Sequence, residues 1–150
     1  MGKGFAERDG RHVPSKKNYC FGCGPDNPEG MKLKFSFDED KVSCRFRLSR
    51  RFAGPPDHCH GGIIATLLDE IMAKLNKLHD VTAVTSEMTV RYLRPVPLNQ
   101  SLRMEARETG TEGRRRLRSA EIKNEKGEVL ARAEGLFLMV DPQKVFARNG

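Results

Sequence analysis

The sequence predicts an α+β fold in which one long helix is held by a curved antiparallel sheet. Three observations carry that expectation. Apolar residues at Ile63, Ile64, Leu67, Leu68, Ile71, Met72 and Leu75 recur at helical spacing, in a stripe wide enough to need a sheet around it. The remaining long segments read as strands, by period-two alternation or by β-forming composition. Short turns join them in succession, as in an antiparallel meander. At 150 residues the chain suits one core, with no repeat or linker that would divide it.

The elements follow in order. Residues 1–18 carry few apolar side chains and read as a flexible arm, leaving one domain over 19–150. Residues 20–30 hold Gly22, Gly24, Pro25, Asn27, Pro28 and Gly30 and are loop. Met31 to Phe37 alternates Met31, Leu33, Phe35 and Phe37 with polar residues, a strand; Val42 to Leu48 is a second. Gly54-Pro55-Pro56-Asp57 marks a loop before the helix, which runs from Gly61 to about Lys77. Strands are then expected over Thr82 to Val96, Ser101 to Glu108, Arg114 to Lys123 and Glu128 to Val140, with a turn at Thr109 to Gly113.

Composition narrows the function classes. No apolar run approaches a membrane span, and Met1 to Lys17 lacks the apolar centre of a signal peptide, so a cytoplasmic location is the expectation. The formal charge of +7 points toward anionic partners, either nucleic acid or a phosphorylated or CoA-bearing small molecule, or else serves solubility. Two tyrosines and no tryptophan leave little for stacking on bases. Cys20-Phe21-Gly22-Cys23-Gly24 has the form of a zinc knuckle, but no second C-x-x-C exists to complete four ligands. Cys44 and Cys59 are the only others, and reduced structural cysteines with no metal are expected.

The segment His60-Gly61-Gly62 opens the helix, and Asp69 lies nine residues after the histidine. Glycines at a helix start leave N–H groups unshielded, suited to a developing negative charge. An acid in an apolar helix is costly unless paired or employed. Asp69 and Glu70 sit about 100° apart around the helix, so one can face a cleft while the other faces solvent. The plain alternatives are a tight loop entry for the glycines and solvated acids on the helix edge. Thr85 and Ser86 open the next strand, where a hydroxyl could hold a water. Arg114-Arg115-Arg116 with Arg118 reads either as a solvated strand edge or, joined by Arg91 and Arg94, as a phosphate-binding patch.

Taken together, Phe52-x-Gly54-Pro55, His60-Gly61-Gly62, Ala65 to Asp69, Val84-Thr85, Val90-Arg91-Tyr92, Arg94-Pro95 and Gly113-Arg114 resemble the hot-dog-fold acyl-CoA thioesterases of the phenylacetic-acid-degradation type. The group includes the human thioesterase-superfamily members, and the resemblance spans roughly Cys20 to Val140. It implies that Asp69 is general base or nucleophile. It further implies that the Gly62 N–H polarises the thioester carbonyl with help from His60, and that Thr85 orients water. Gly61, Gly54, Arg91, Arg94, Arg114 and Arg115 are assigned to substrate binding. It also implies a homodimer, by family habit a dimer of dimers, with Asp69 of one protomer working with Gly62 of its partner. Many members have asparagine six residues before the histidine, where this chain has Gly54; His60 or Asp57 would then orient the carbonyl.

The expected function is hydrolysis of an acyl-CoA to free acid and CoA, with no cofactor, no nucleic acid and no membrane. Two other readings stand beside it. One is a hot-dog hydratase or dehydratase, whose usual histidine pattern is absent. The other is a non-catalytic acyl-CoA-binding regulator.

Overall fold

A computed structural model describes residues 17–146 and, for their backbone alone, the strands Phe5–Arg8 (β1) and Arg11–Pro14 (β2). The chain divides into two compact units, Met1–Leu33 and Lys34–Gly150. In the first unit β1 and β2 pair antiparallel, Phe5 opposite Pro14 and Arg8 opposite Arg11. This hairpin lies inside the segment expected to be an arm; the rest of residues 1–16 falls outside the described residues.

Met31 and Leu33 also belong to this unit. The strand expected from Met31 to Phe37 is reduced to Ser36–Phe37 (β3). The alternation is real, but the N–H groups of Met31 and Leu33 bond back to the carbonyls of Phe21 and Gly22, at 2.7 and 2.9 Å. Lys32 between them has a positive φ of 54°, which no strand accommodates.

The second unit is a six-stranded antiparallel sheet in the order β3-β4-β6-β7-β8-β5. Its other strands are Lys41–Phe46 (β4), Ala83–Tyr92 (β5), Leu102–Glu112 (β6), Arg115–Lys123 (β7) and Val129–Met139 (β8). Only β6, β7 and β8 form a meander. The simple meander expected from the sequence is corrected by β5, which sits beyond β8 at the sheet edge rather than beside β6. Pro95 and Pro97 lack the N–H that a strand ladder needs, so pairing stops after Tyr92 and nine residues separate β5 from β6. The turn expected at Thr109 to Gly113 is shorter too: β6 runs through Glu112, and Gly113 supplies the positive φ, 60°, that reverses the chain.

The helix Gly61–Ala73 (α1) packs against β4, β5, β6, β7 and β8. Ile64, Leu67, Leu68, Ile71 and Met72 are its buried residues, each contributing about 1.5–3 kcal/mol by leaving water. Opposite them the inner sheet face carries Val42, Leu102, Met104, Ile122 and Phe137, all buried. Ala106, Ala120 and Ala133 stand in register across β6, β7 and β8, a row of small side chains that lets a helix approach closely.

The helix does not continue unbroken to Lys77. It ends at Lys74, and Leu75–His79 forms a separate short helix (α2). At this break the Met72 carbonyl accepts a 2.9 Å bond from Arg118 Nη1. Arg118 itself corrects the reading of 114–118 as a solvated edge. Strand β7 is central, its inner face carries Arg116, Arg118, Ala120 and Ile122, and Arg118 is 1% exposed. A further short helix, Pro142–Val145 (α3), follows β8. Among the described residues no helix is long and apolar enough to cross a membrane.

Candidate active site

The loop before α1 is fixed from both sides. The Gly54 N–H donates to the His58 carbonyl at 2.9 Å, and the His60 N–H to the Phe52 carbonyl at 2.9 Å. The Cys59 N–H donates to the Val96 carbonyl at 2.8 Å and the Leu98 N–H to the Asp57 carbonyl at 3.2 Å, tying the loop to the β5–β6 crossover. His58 Nδ1 lies 2.8 Å from the Pro56 carbonyl oxygen, inside the loop.

Gly54 has a steric reason to be glycine. A Cβ there would lie 2.7 Å from His60 Cα, closer than non-bonded carbon atoms approach. The position is therefore not simply an asparagine lost from the pattern, since this backbone has no room for a side chain. Gly54→Ala is expected to cost about 1–3 kcal/mol, read as a lowered Tm, and Gly54→Asn more. An unchanged Tm for both would refute the steric argument.

His60 is the N-cap of α1, and its Nδ1 accepts from the Gly62 N–H at 2.9 Å. The Ile63 and Ile64 N–H groups both donate to the His60 carbonyl, at 3.0 and 3.1 Å. Among the described residues the Gly61 N–H has no such partner, so it is the donor left at the helix start. Beside it a cavity of about 420 Å³ is lined by Cys59, Gly61, Ile64, Tyr92, Leu93 and Arg94. Tyr92 Oη donates to the Gly61 carbonyl at 3.1 Å, holding the helix start against the end of β5. Tyr92 stands in the Val90-Arg91-Tyr92 motif of the resemblance, but it carried no expected role at the site.

Cys59 borders this cavity, but burial pushes its thiol up to about 11, and that of Cys44 also to about 11. Both stay protonated near neutrality and are poor nucleophiles.

Asp69 lies two helical turns further on. Thr85 Oγ1 donates to Asp69 Oδ1 at 2.7 Å. A register shift in the β5–β8 pairing falls between Thr85 and Glu87, a bulge of the kind that re-aims a side chain. Glu70 points elsewhere, with its Oε2 3.8 Å from Lys74 Nζ one turn on. The structure thus brings together His60, Gly61 and Gly62 at one point and Asp69 with Thr85 at another.

The arginines do not form one patch. On their common neighbour β8, Arg91 stands opposite Arg132 and Arg115 opposite Leu138, which puts them about 20 Å apart along the strand. Arg94 stays at the cavity, 3.8 Å from Glu128. At the far end, Arg114 Nε donates to the Met139 carbonyl, Arg115 faces Glu112, and Arg116 Nη1 is 2.7 Å from Glu108 Oε1.

Residues 57–131, half of the chain, match the family model of the thioesterase superfamily. The chain belongs to that superfamily. The acyl-coenzyme A thioesterase THEM4 of Rattus norvegicus is 29% identical over 121 residues, covering 77% of this chain and 52% of the relative. THEM4 of Bos taurus is 29% identical over 108 residues, covering 71% and 44%. The chain thus spans about half the length of the curated relatives it matches.

Among solved structures, the thioesterase superfamily protein RHA08564 superposes with a TM-score of 0.77 at 28% identity, covering 81% of this chain and 60% of that one. The Escherichia coli PaaI protein of the phenylacetic acid degradation operon gives 0.68 at 22% identity, over 72% and 88%. The Streptococcus mutans protein smu.793, solved bound to acetyl CoA, gives 0.68 at 20% identity, over 72% and 88%. At those lower identities the likeness concerns the fold alone. The six-stranded antiparallel sheet around one long helix is the hot-dog fold, as expected.

Proposed function

We propose that this chain hydrolyses an acyl-CoA thioester to a carboxylic acid and CoA. The observation that carries the proposal is Asp69, held by Thr85 of β5, on the same helix whose start presents an unpaired backbone donor. With Oδ1 held by Thr85, Asp69 keeps Oδ2 for a water molecule. As general base it takes a proton from that water, whose oxygen attacks the thioester carbonyl. The tetrahedral oxyanion is received at the helix start, and the carbon–sulfur bond then breaks. The CoA sulfur leaves with the proton that Asp69 took up, so the enzyme returns to its starting state. The THEM4 relatives are named acyl-coenzyme A thioesterases, which supports this substrate class.

The family resemblance implied the Gly62 N–H as the oxyanion donor. That donor is engaged by His60 Nδ1, so the Gly61 N–H is the better supported partner, with His60 fixing the turn around it. Gly54 acts by letting the loop close on His60, and Arg94, which lines the cavity, offers charge for CoA phosphates together with Arg91, which precedes Tyr92 on β5.

Asp69 lies eight positions after Gly61, a rise of about 12 Å along the helix axis. One helix therefore cannot surround a single carbonyl with both groups, and a homodimer is proposed. Strand β5 is an edge strand, ten residues long, open to pairing on one side. Antiparallel pairing with β5 of a second copy sets the Thr85 end of one strand beside the Tyr92 end of the other. Asp69 of one protomer then meets the helix start of its partner, and Arg114 and Arg115 move toward the partner's cavity. The working division of the chain is an arm over 1–18 and one catalytic domain over 19–150, in the cytoplasm.

The test is thiol release from short, medium, long and phenylacetyl CoA esters. Turnover of at least one ester is the expected result. Binding of CoA esters with no thiol release from any would overturn the proposal in favour of a binding protein.

A further inference from the structure

The mechanism above uses none of residues 17–33, yet this loop is built with care. Gly24 closes the turn: its N–H donates to the Cys20 carbonyl at 2.8 Å, and a Cβ there would fall on Cys20 N and the Asn18 carbonyl oxygen. Asp26 clasps Asn18 twice, its Oδ2 accepting from the Asn18 N–H at 2.7 Å and its own N–H donating to the Asn18 carbonyl at 3.0 Å. Asn27 Nδ2 donates to the Tyr19 carbonyl at 3.0 Å, and the bonds from Met31 and Leu33 add a short ladder beneath the turn.

On this scaffold Cys20 and Cys23 are thiols, half-buried, with their sulfurs within 4.8 Å of each other. That distance suits a shared cation. With metal–sulfur bonds of about 2.3 Å, two sulfurs stand about 3.8 Å apart in a tetrahedral arrangement and about 4.6 Å in a linear one.

A second observation points the same way. The compact unit that contains the pair is Met1–Leu33, and units below about 40 residues usually need a cross-link or a metal to hold their shape. Of its described apolar side chains Leu33 is buried, while Tyr19 is 61% and Phe21 40% exposed. The unit's two cysteines are not joined as a disulfide. Nor does the pair open a helix, the setting that favours thiol–disulfide chemistry.

We propose that the Cys20–Cys23 turn binds one thiophilic d¹⁰ metal ion, Zn²⁺ or Cu⁺, through two thiolates. The missing second C-x-x-C excludes a four-cysteine site but not this one. Binding replaces the two S–H protons by metal–sulfur bonds and releases those protons to solvent, so affinity falls as the pH is lowered. Solvent fills the remaining positions on Zn²⁺, whereas Cu⁺ needs none.

The test uses the full reduced chain, titrated with Zn²⁺, with Cu⁺ under anaerobic conditions, and with Co²⁺ as an optical probe for thiolate coordination. One equivalent of metal, a sulfur-to-cobalt charge-transfer band, and loss of both in Cys20→Ser and in Cys23→Ser are expected. Should either variant misfold, the unmodified chain gives a second reading through alkylation mapped by mass spectrometry. Metal should then protect Cys20 and Cys23 together. Absence of binding and protection, binding that survives the double serine variant, or a pair that only oxidises to a disulfide would each overturn the proposal. None of these readouts depends on thioester hydrolysis.

Discussion

Asp69→Asn is expected to lower turnover of the best CoA ester by about 10²–10⁴-fold while leaving the fold intact. Asparagine keeps an oxygen that can accept the 2.7 Å bond from Thr85, so the local geometry survives and only the basicity is lost. Loss of that basicity removes the group that takes the proton from water. Thr85→Val makes the complementary change, keeping the carboxylate but freeing its orientation, and should cost less. Combined, the two substitutions should cost less than the product of their separate effects, because they act on one device. Glu70→Gln separates this reading from its neighbour in sequence. Glu70 faces Lys74, and its loss should leave turnover within a few-fold of wild type. Full activity in Asp69→Asn, or inactivation by Glu70→Gln instead, would move the base to Glu70.

The helix was legible because its signal is local. Seven apolar residues at the right spacing allow few other structures, and His60-Gly61-Gly62 marks its start. The long strands were legible for the same reason, to within a few residues at each end. What escaped was set by partners distant in sequence. The alternation of Met31 and Leu33 is that of a strand, yet their N–H groups are taken by Phe21 and Gly22. The position of β5 beyond β8 depends on which edge remains open after the β6–β7–β8 meander forms, and no local pattern encodes it. The β1–β2 hairpin had a signal that went unused, the Asp9-Gly10 dipeptide between two short runs. Around the site, the motif residues were legible by type. The engagement of the Gly62 N–H by His60, the exclusion of any side chain at Gly54 and the bond from Tyr92 to Gly61 required the backbone path. The arginines mislead for a different reason: a charged run reads as solvated, and only strand alternation inside a central strand turns Arg118 inward.

Arg118 sets up the second large effect. Its Nε donates to Glu108 Oε2 at 3.1 Å, its Nη1 to the Met72 carbonyl, and its guanidinium lies 4.6 Å from the centre of the Phe137 ring. Burial holds its pKa below the ordinary arginine value, Glu108 opposes that shift, and nearby Arg116 adds to it. The two substitutions that break the pair are therefore not equivalent. Arg118→Met leaves Glu108 still bonded to Arg116 at 2.7 Å, and its main cost is the loss of the side-chain donor at the buried end of α1, about 1–3 kcal/mol. Glu108→Ala leaves a buried guanidinium beside a second cation with no carboxylate between them, a loss of about 3–5 kcal/mol. For a chain of this size that corresponds to a Tm lower by roughly 6–20 °C. Denaturant unfolding of both single variants and the double variant measures the ordering directly. Glu108→Ala should be the worst of the three, and adding Arg118→Met to it should restore stability, because the second change removes the charge that the first stranded. If Arg118→Met proves the more damaging, the guanidinium holds the helix end through Met72 and Phe137, and its pairing with Glu108 is secondary. Either ordering bears on catalysis, since Met72 lies one turn past Asp69 and the clamp at that carbonyl fixes the helix against β7, in the same sheet whose edge strand β5 carries Thr85.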